Sequence, residues 1–202
     1  ATWQIVQERQ RRLLQVFIAH EWRNLAEINL VEVGCGSGRN LLELLRLGFS
    51  PSRMTGIELL PERLAQAREV LPQSLTLLGA DALKIDLPAC SQDIVYQAVV
   101  FSSLLDDEFQ KQLAERMWQW VKPGGAVLWY DFIYNNPSNP DVRGVGLRRI
   151  KALFPAGRID TIRVTLAPPI ARRVCQIHPS LYHIFNSLPW LRTHVLCWIE
   201  KT

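Results

Sequence analysis

A ten-residue stretch near the start of the chain, VEVGCGSGRN from Val31 to Asn40, limits the possible folds more than any other feature. It follows a short apolar run that begins at Asn29 and is typical of a buried strand, and it leads into leucines with helical spacing. Within it, glycine occupies three alternate positions: Gly34, Gly36 and Gly38. Glycine lets the backbone turn sharply and approach a ligand that a Cβ would repel, and free amides at a helix start bind polar groups. The stretch therefore predicts a strand–turn–helix unit with a ligand at the turn.

The same alternation of short apolar runs and helical patterns continues along most of the chain. The runs that predict further strands are 54–57, 75–78, 93–100, 126–132, 162–166 and 193–199. A leading segment, 1–28, holds an amphipathic helix over 3–25; 122–125 predicts a turn, and Pro168 with Pro169 is expected to end a strand. Strands that alternate with helices at this spacing indicate an α/β fold with a parallel sheet covered on both faces. No repeat or long linker interrupts the pattern, so we expect one domain over 1–202.

Composition excludes several other classes of protein. Hydrophobic residues make up 48% of the chain and charged residues 21%, which is enough for a packed core and argues against disorder. We expect no membrane-spanning helix, because no uncharged apolar stretch reaches about 18 residues, and we expect no secretion signal. The four cysteines lie far apart, which argues against a metal site or a disulfide framework and favours the cytoplasm.

Charge is distributed unevenly along the chain. Residues 1–133 hold 13 basic and 16 acidic side chains, whereas residues 134–202 hold 10 basic and 3 acidic ones. The basic excess has two interpretations: attraction to an anionic acceptor or to acidic lipid head groups, or simply a solvated face. The basic residues are dispersed and no nucleic-acid-binding motif is present, so we expect no nucleic-acid partner.

Two acidic residues identify the ligand of the glycine turn more closely. Glu58 ends the second strand 20 residues after Gly38, where a carboxylate can accept both ribose hydroxyls of a nucleoside. A dinucleotide fingerprint requires the spacing G-x-G-x-x-G, but the third glycine here comes one residue early and position 39 is Arg39. Glu32, beside the turn, would repel a pyrophosphate but suits the ammonium and sulfonium groups of a cationic ligand. The pattern therefore favours S-adenosylmethionine over a nicotinamide cofactor.

These motifs resemble those of the class I S-adenosylmethionine-dependent methyltransferases over essentially the full length of the chain. The glycine turn is similar to the family's first motif, GIELLPERL supplies the ribose-binding acid, and GADA resembles the adenine-contacting segment. The cofactor-binding residues that the resemblance implies are Glu32, Gly34, Cys35, Gly36, Gly38, Glu58, Leu59, Asp81, Ala82 and Gln97. The resemblance also implies a Rossmann-like sheet of seven strands in the order 3-2-1-4-5-7-6, with the last strand antiparallel and helices on both faces.

The acceptor side of the sequence is less specific. Enzymes of this family that methylate amino groups have an Asn/Asp-Pro-Pro-Tyr/Phe motif after the fourth strand, whereas this chain has Gln97 to Phe101 there. The segments VVFSSLLDD, LWYDF and NPDVRG are similar to small bacterial methyltransferases found with glycan and natural-product biosynthesis. That likeness implies a small-molecule or glycan acceptor methylated at a hydroxyl oxygen. The oligomeric state stays open.

Catalytic residues are expected at the carboxyl ends of the strands, where open α/β sheets bind their ligands. Asp131 is a lone carboxylate in an apolar strand, and it is either a general base or a structural acceptor for loop amides. His178 and His183 lie in an insertion, 167–190, that we place near the acceptor; each is a candidate base or a structural residue. We also expect the crevice to be lined by Phe101 and Ser102 and, after the fifth strand, by Tyr134, Asn135 and Asn136. The alternative function is a catalytically silent subunit that binds S-adenosylmethionine in support of a partner.

Overall fold

The computed structural model describes residues 1–136 and 139–202. Its α-helices are α1 (Thr2–Ala19), α2 (Arg39–Arg46), α3 (Pro61–Val70), α4 (Asp107–Trp120), α5 (Leu147–Leu153), α6 (Pro168–Ile177) and α7 (Leu181–Asn186). The strands are β1 (Leu30–Val33), β2 (Met54–Ile57), β3 (Thr76–Leu78), β4 (Gln92–Ala98), β5 (Val121–Phe132), β6 (Gly157–Leu166) and β7 (Arg192–Lys201).

All seven strands form one sheet in the order β3-β2-β1-β4-β5-β7-β6, so the predicted topology is confirmed. The pairs from β3 to β5 are parallel, and β7 runs antiparallel to both of its neighbours, β5 and β6. The order reverses at β1 and β4, and parallel strands on the two sides of such a point leave a crevice at their carboxyl ends. The glycine turn comes directly after β1 and therefore opens into that crevice.

Helices cover both faces of the sheet because the strands alternate apolar side chains to the two sides. One core packs α1, α2 and α3 on the first face, with Leu30, Tyr96 and Leu128 from the strands. The other core packs α4 and α5 on the second face, with Val31 and Val127 from the strands. The chain thus has the α/β fold with helices on both faces that the alternating pattern predicts.

The helix bounds differ from expectation in three places. The leading helix ends at Ala19 rather than at residue 25, since Glu21 has a left-handed φ of +60° and turns the chain away. Pro168 and Pro169 end β6 as expected, but they also occupy the first positions of α6, where a missing N–H has no helical partner to lose. The seven-residue helix α5 has no counterpart among the sequence-based expectations.

The segment Lys122–Gly125 is also different from the simple turn that its sequence predicts. It lies inside β5, where the register with β4 shifts between the pairs Gln92–Val121 and Ile94–Ala126. Gly124 has a φ of +77°, which only glycine adopts easily, so the extra residues form a bulge at the amino edge of the sheet.

Composition argues against a disulfide framework, a metal site and a membrane-spanning helix, and the structure describes the residues concerned. Cys35 and Cys197 are buried, Cys175 is half-buried and Cys90 is exposed, and none of the four forms a disulfide. Over residues 1–136 and 139–202, no three His, Cys, Asp or Glu side chains are grouped as metal ligands. The helices in these same ranges are all too short or too polar to cross a bilayer.

Candidate cofactor and acceptor site

The three glycines of the turn between β1 and α2 all have left-handed φ angles, of +66°, +57° and +80° in chain order. A Cβ on Gly34 would lie 2.6 Å from Val100 Cγ2, and one on Gly38 would lie 2.6 Å from Leu71 Cδ1, so both positions need glycine for packing. A Cβ on Gly36, by contrast, would have no atom of the described residues within 4 Å. The open space at Gly36 is therefore the place where a ligand can approach the backbone.

A cavity of about 260 Å³ opens beside this turn. It is lined by the turn itself and by the first residues of α2 and two side chains of α3: Gly34, Cys35, Gly36, Ser37, Arg39, Asn40, Arg63 and Gln66. The Cys35 N–H donates to the carbonyl of Ile57 at 2.9 Å. Burial, with the nearby Glu32 and Glu58 carboxylates, raises the pKa of the Cys35 thiol to about 12. Cys35 thus contributes backbone, and its thiol stays protonated.

Glu58 comes directly after β2 and links the glycine turn to the β2–α3 connection. Its Oε2 accepts the Gly36 N–H at 2.8 Å and its Oε1 accepts the Leu60 N–H at 2.9 Å. Each carboxylate oxygen can accept a second hydrogen bond, so one lone pair on each oxygen remains for a diol. This arrangement fits the predicted contact with two ribose hydroxyls.

Glu32 lies on β1 directly below the turn and is fully buried. Its Oε1 accepts a hydrogen bond from the Asn40 side chain at 2.6 Å, whereas its Oε2 has no partner among the described residues. Burial raises the pKa of this carboxyl to about 8, because removal from water disfavours the charged form. A buried oxygen without a partner is costly, and a cationic ligand group would supply the missing bond. The residues present therefore fit the ammonium group of S-adenosylmethionine.

The predicted adenine-contacting residues come after β2 and β3 at the same edge of the sheet. Asp81 caps a short 3-10 helix, since its Oδ1 accepts the Leu83 N–H at 3.0 Å. Ala82 begins that helix and is half-buried, and Leu59 leaves 64% of its surface exposed beside Glu58. An exposed leucine suits the apolar face of a purine, and a carboxylate suits its amino edge. The contact itself stays a prediction.

Gln97 and its neighbours form a strained turn after β4. Gln97 is fully buried, and its side-chain oxygen accepts the Val100 N–H at 3.1 Å. Val99 has a φ of +59°, which is unfavourable for a β-branched residue, and its N–H donates to the Tyr130 carbonyl at 2.8 Å. Such strain is concentrated at functional sites. Gln97 therefore holds the turn in place, and Val99 leaves 38% of its surface exposed there.

Asp131 is fully buried near the carboxyl end of β5. Its Oδ2 accepts the Ser102 N–H at 3.1 Å and its Oδ1 accepts the Phe132 N–H at 2.9 Å. Burial raises its pKa to about 6. Of the two sequence-based interpretations, this geometry favours the structural one, in which the carboxylate holds the loop after β4 through the amide of Ser102.

The expectation that Phe101 and Ser102 line the crevice is wrong, because both are fully buried. Phe101 packs on the Trp129 ring with centroids 4.5 Å apart, beneath the loop rather than above it. Tyr134, also expected in the crevice, is exposed just after β5, and its hydroxyl accepts a hydrogen bond from Arg163 at 3.2 Å. Its contact with an acceptor stays a prediction.

His178 and His183 are both exposed on the insertion. His178 Nδ1 accepts the Ser180 N–H at 3.2 Å, and the His183 ring lies edge-on to Tyr182 at 5.8 Å. These partners of the two rings belong to the insertion itself. A catalytic role for either histidine remains a prediction, and neither of these contacts favours it.

A buried polar layer under α1 was not predicted from the sequence. One guanidinium nitrogen of Arg9 donates to both oxygens of Glu43 at 2.8 Å, and the Arg9 guanidinium lies 5.4 Å from the centre of the Tyr130 ring. His194 stacks on Tyr130 as well, and burial together with the charge of Arg9 lowers its pKa to about 4. The signal in the sequence is the adjacent charged pair Glu8 and Arg9 within the amphipathic leading helix. Their partners lie far away in the sequence, so the pairing could be identified only from the tertiary structure.

Comparison with known proteins agrees with this geometry. Residues 30–125 match a family model described as a methyltransferase domain. Over 155 residues the chain is 31% identical to trans-aconitate 2-methyltransferase of Afipia carboxidovorans, covering 76% of this chain and 54% of that protein. The chain is therefore similar to methyltransferase domains. It spans about half the length of the curated relatives it matches.

Solved structures of other proteins share the fold of this chain. An S-adenosylmethionine-dependent methyltransferase from Mesorhizobium loti superposes with a TM-score of 0.64 at 16% identity, covering 91% of this chain and 97% of that one. The cyclase SpnF superposes with a TM-score of 0.63 at 14% identity, covering 93% and 80%. These likenesses show the fold alone, because one fold hosts several activities. The matched region 30–125 contains the glycine turn and all predicted cofactor-binding residues, whereas the predicted catalytic residues Asp131, His178 and His183 lie beyond it.

Proposed function

We propose that the protein transfers the methyl group of S-adenosylmethionine to an oxygen of a small-molecule or glycan acceptor, with a hydroxyl as the first candidate. The observation that carries the proposal is Glu32, whose buried Oε2 has no partner among the described residues and lies below a glycine turn with open space at Gly36. The bound cofactor supplies an electrophilic methyl group on a sulfonium. The chain's own residues have to bind it, orient it and keep water away.

A few residues on the cofactor side have separate proposed roles in binding. Glu58 offers two free lone pairs to a diol while it fixes the backbone at Gly36 and Leu60. Glu32 offers a charge to a cationic group, and Asn40 holds its other oxygen. Alignment of two reactants in a crevice contributes roughly 7–11 kcal/mol of barrier reduction. A dedicated base is therefore unnecessary for an acceptor that is already acidic.

The loop after β4 supports an oxygen acceptor. From Gln97 to Phe101 it lacks the Pro-Pro motif that positions an amino group, and its side chains are either buried or apolar. The relative from Afipia carboxidovorans is named for trans-aconitate, a small organic acid, which agrees with an oxygen acceptor. Tyr134 with Arg163 supplies hydrogen-bonding groups on the open side. We also infer that residues 1–202 form one domain and that the protein is cytoplasmic; the four unpaired cysteines support the compartment.

A second candidate is a catalytically silent subunit that binds the cofactor for a partner. The position of Asp131 favours it, because this carboxylate is buried and bonded to two amides rather than open to an acceptor. The likeness to SpnF, which is named as a cyclase, agrees with a fold that serves more than methyl transfer.

The test is a screen of purified protein against phenols, sugars, quinones and organic acids, with release of adenosylhomocysteine as the readout. Methyl transfer by the chain alone, absent in Glu58→Ala, would support the first candidate. Calorimetric binding of adenosylhomocysteine without turnover, restored by a partner, would support the second. Failure to bind adenosylhomocysteine would contradict both.

A further inference from the structure

We propose that the exposed face of the insertion formed by α6, α7 and the turn after them docks on an anionic lipid bilayer. We assign to this surface, called here the insertion face, the exposed residues Arg172, Arg173 and Ile177 of α6, Ile184 of α7 and Trp190 after it. None of them belongs to the predicted cofactor site, so the docking does not depend on the proposed function; only the expectation about the acceptor rests on it.

Helix α6 presents one side to the protein and the opposite side to solvent. Ala171 and Val174 are buried against Leu166 and Tyr182, and the amino-terminal part of α1 packs on the same cluster. Arg172, Arg173 and Ile177 are exposed, and 100° per residue places them within one outward arc. The outward arc thus combines two cations with a large apolar side chain.

The apolar part of the insertion face is unusual for a solvated surface. Ile177 leaves 79% of its surface exposed, Trp190 leaves 69% and Ile184 leaves 62%. Isolated exposed hydrophobic residues are common, but a group of them on one short insertion indicates a binding surface. Tryptophan in particular favours the boundary between water and lipid, where its ring is apolar and its N–H stays hydrated.

Charge argues for an anionic partner. The segment from Ala167 to Arg192 contains three arginines and two histidines and no acidic residue. Among the ion pairs of the described residues, neither Arg172 nor Arg173 has a carboxylate partner. Basic residues interleaved with exposed isoleucine and tryptophan are the composition of surfaces that lie on acidic head groups.

The insertion face also lies where docking would matter. Strand β6 is parallel to β5, so its end at Leu166 lies at the carboxyl edge of the sheet, the edge that holds the glycine turn. Docking would therefore bring the open side of the crevice close to a bilayer. We expect an amphiphilic acceptor, one that lipid presents, to be favoured over a freely diffusing one.

Sedimentation with lipid vesicles tests the docking. The chain should sediment with vesicles of phosphatidylcholine mixed with phosphatidylglycerol and stay in the supernatant with phosphatidylcholine alone, and binding should weaken as salt rises. Arg172→Gln with Arg173→Gln should reduce the partition coefficient roughly thirtyfold, since each arginine near an acidic surface contributes about fivefold. Ile177→Ser should reduce it severalfold. All three side chains are exposed, so the fold should be unaffected.

Matched controls separate docking from general changes in charge and hydrophobicity. Arg46→Gln with Arg68→Gln removes two exposed arginines from α2 and α3, and Val70→Ser removes an exposed aliphatic side chain from α3. Neither control should change sedimentation. Equal loss in the control and test variants, or no binding of the chain to anionic vesicles, would overturn the proposal. A concentration-dependent dimer that Ile177→Ser abolishes, without vesicle binding, would also overturn it and assign the face to a protein contact.

Discussion

The two halves of the sheet perform their tasks with different kinds of residues. The cofactor half, from β1 to β4, builds its site from consecutive residues of one turn and from the first residues after two strands. The half predicted to receive the acceptor, from β5 to β7, builds its surface from an insertion, from the connection after β5 and from residues of α1. Residues 1–133 hold 13 basic and 16 acidic side chains, whereas residues 134–202 hold 10 basic and 3 acidic ones. The difference teaches that a site made of local backbone can be recognised in a sequence, whereas one made of distant side chains cannot.

The largest effect that this comparison predicts comes from filling the space at Gly36. Gly36→Val should abolish adenosylhomocysteine binding, because the valine side chain would fill the open space at Gly36 where the ligand is expected to approach the backbone. Gly48→Val is the matched control, since Gly48 also has a positive φ, of +109°, and open space around it but lies after α2. Both variants should lose about 1–2 kcal/mol of stability from the backbone strain. Calorimetry on the folded proteins checks this, and binding in Gly36→Val would remove the turn from the site.

A smaller effect on affinity is expected from the carboxylate below the turn. Glu32→Gln should weaken the binding of S-adenosylmethionine by roughly 1.5–3 kcal/mol, the usual worth of a hydrogen bond to a charged group. Because the pKa of Glu32 is raised to about 8, the free protein holds a proton there at neutral pH and must release it to bind a cation. Wild-type affinity should therefore rise with pH by up to about tenfold per unit below pH 8, relative to the variant.

Calorimetry of both proteins across this pH range measures the linkage. Taking the ratio of the two affinities cancels the titration of the ligand's own amino group. A ratio that does not change with pH would show that Glu32 is already ionised in the free protein and would place the ammonium contact elsewhere.

Asp131 should affect stability more than affinity. Its pKa rises from an ordinary 3.8 to about 6, so its native carboxyl binds a proton more tightly than the unfolded one. The resulting stabilisation is full below about pH 4 and is lost as pH rises through 6, and two pKa units correspond to about 3 kcal/mol. Asp131→Asn has no titrating carboxyl at this position and so does not lose this stabilisation. The free energy of unfolding of the variant, measured relative to wild type, should therefore increase by about 3 kcal/mol between pH 4 and pH 7.

Denaturant unfolding at several pH values checks the Asp131 prediction, with Asp93→Asn at the amino edge of the sheet as the control. Cofactor affinity should be unchanged and turnover should fall about tenfold or less, because the Ser102 loop is held less firmly. A fall of 10²–10⁴ with intact stability would instead identify Asp131 as the general base.

The smallest effects are expected at the two histidines. His178→Ala and His183→Ala should leave cofactor affinity and turnover within about twofold of wild type, the usual range for exposed substitutions. The measurement is a steady-state assay with the acceptor found in the screen. A loss of turnover relative to wild type that grows as pH rises, in either variant, would return that histidine to the acceptor site as a base.

The sequence by itself determined the α/β class of the fold through its alternating pattern, and its likeness to a known family implied the strand order that the structure confirms. The sequence also predicted the residues of the cofactor side. Glycines at 34, 36 and 38, an acid before the turn and an acid after β2 have their roles fixed by the local backbone, and spacing along the chain records local backbone. Only the tertiary structure decided that Asp131 bonds to the loop at Ser102 and that Phe101 is buried. It also revealed the pairing of Arg9 with Glu43 across 34 residues. Such partners are brought together by packing between elements far apart in the chain. The spacing of residues in a single sequence does not indicate which distant elements pack on one another.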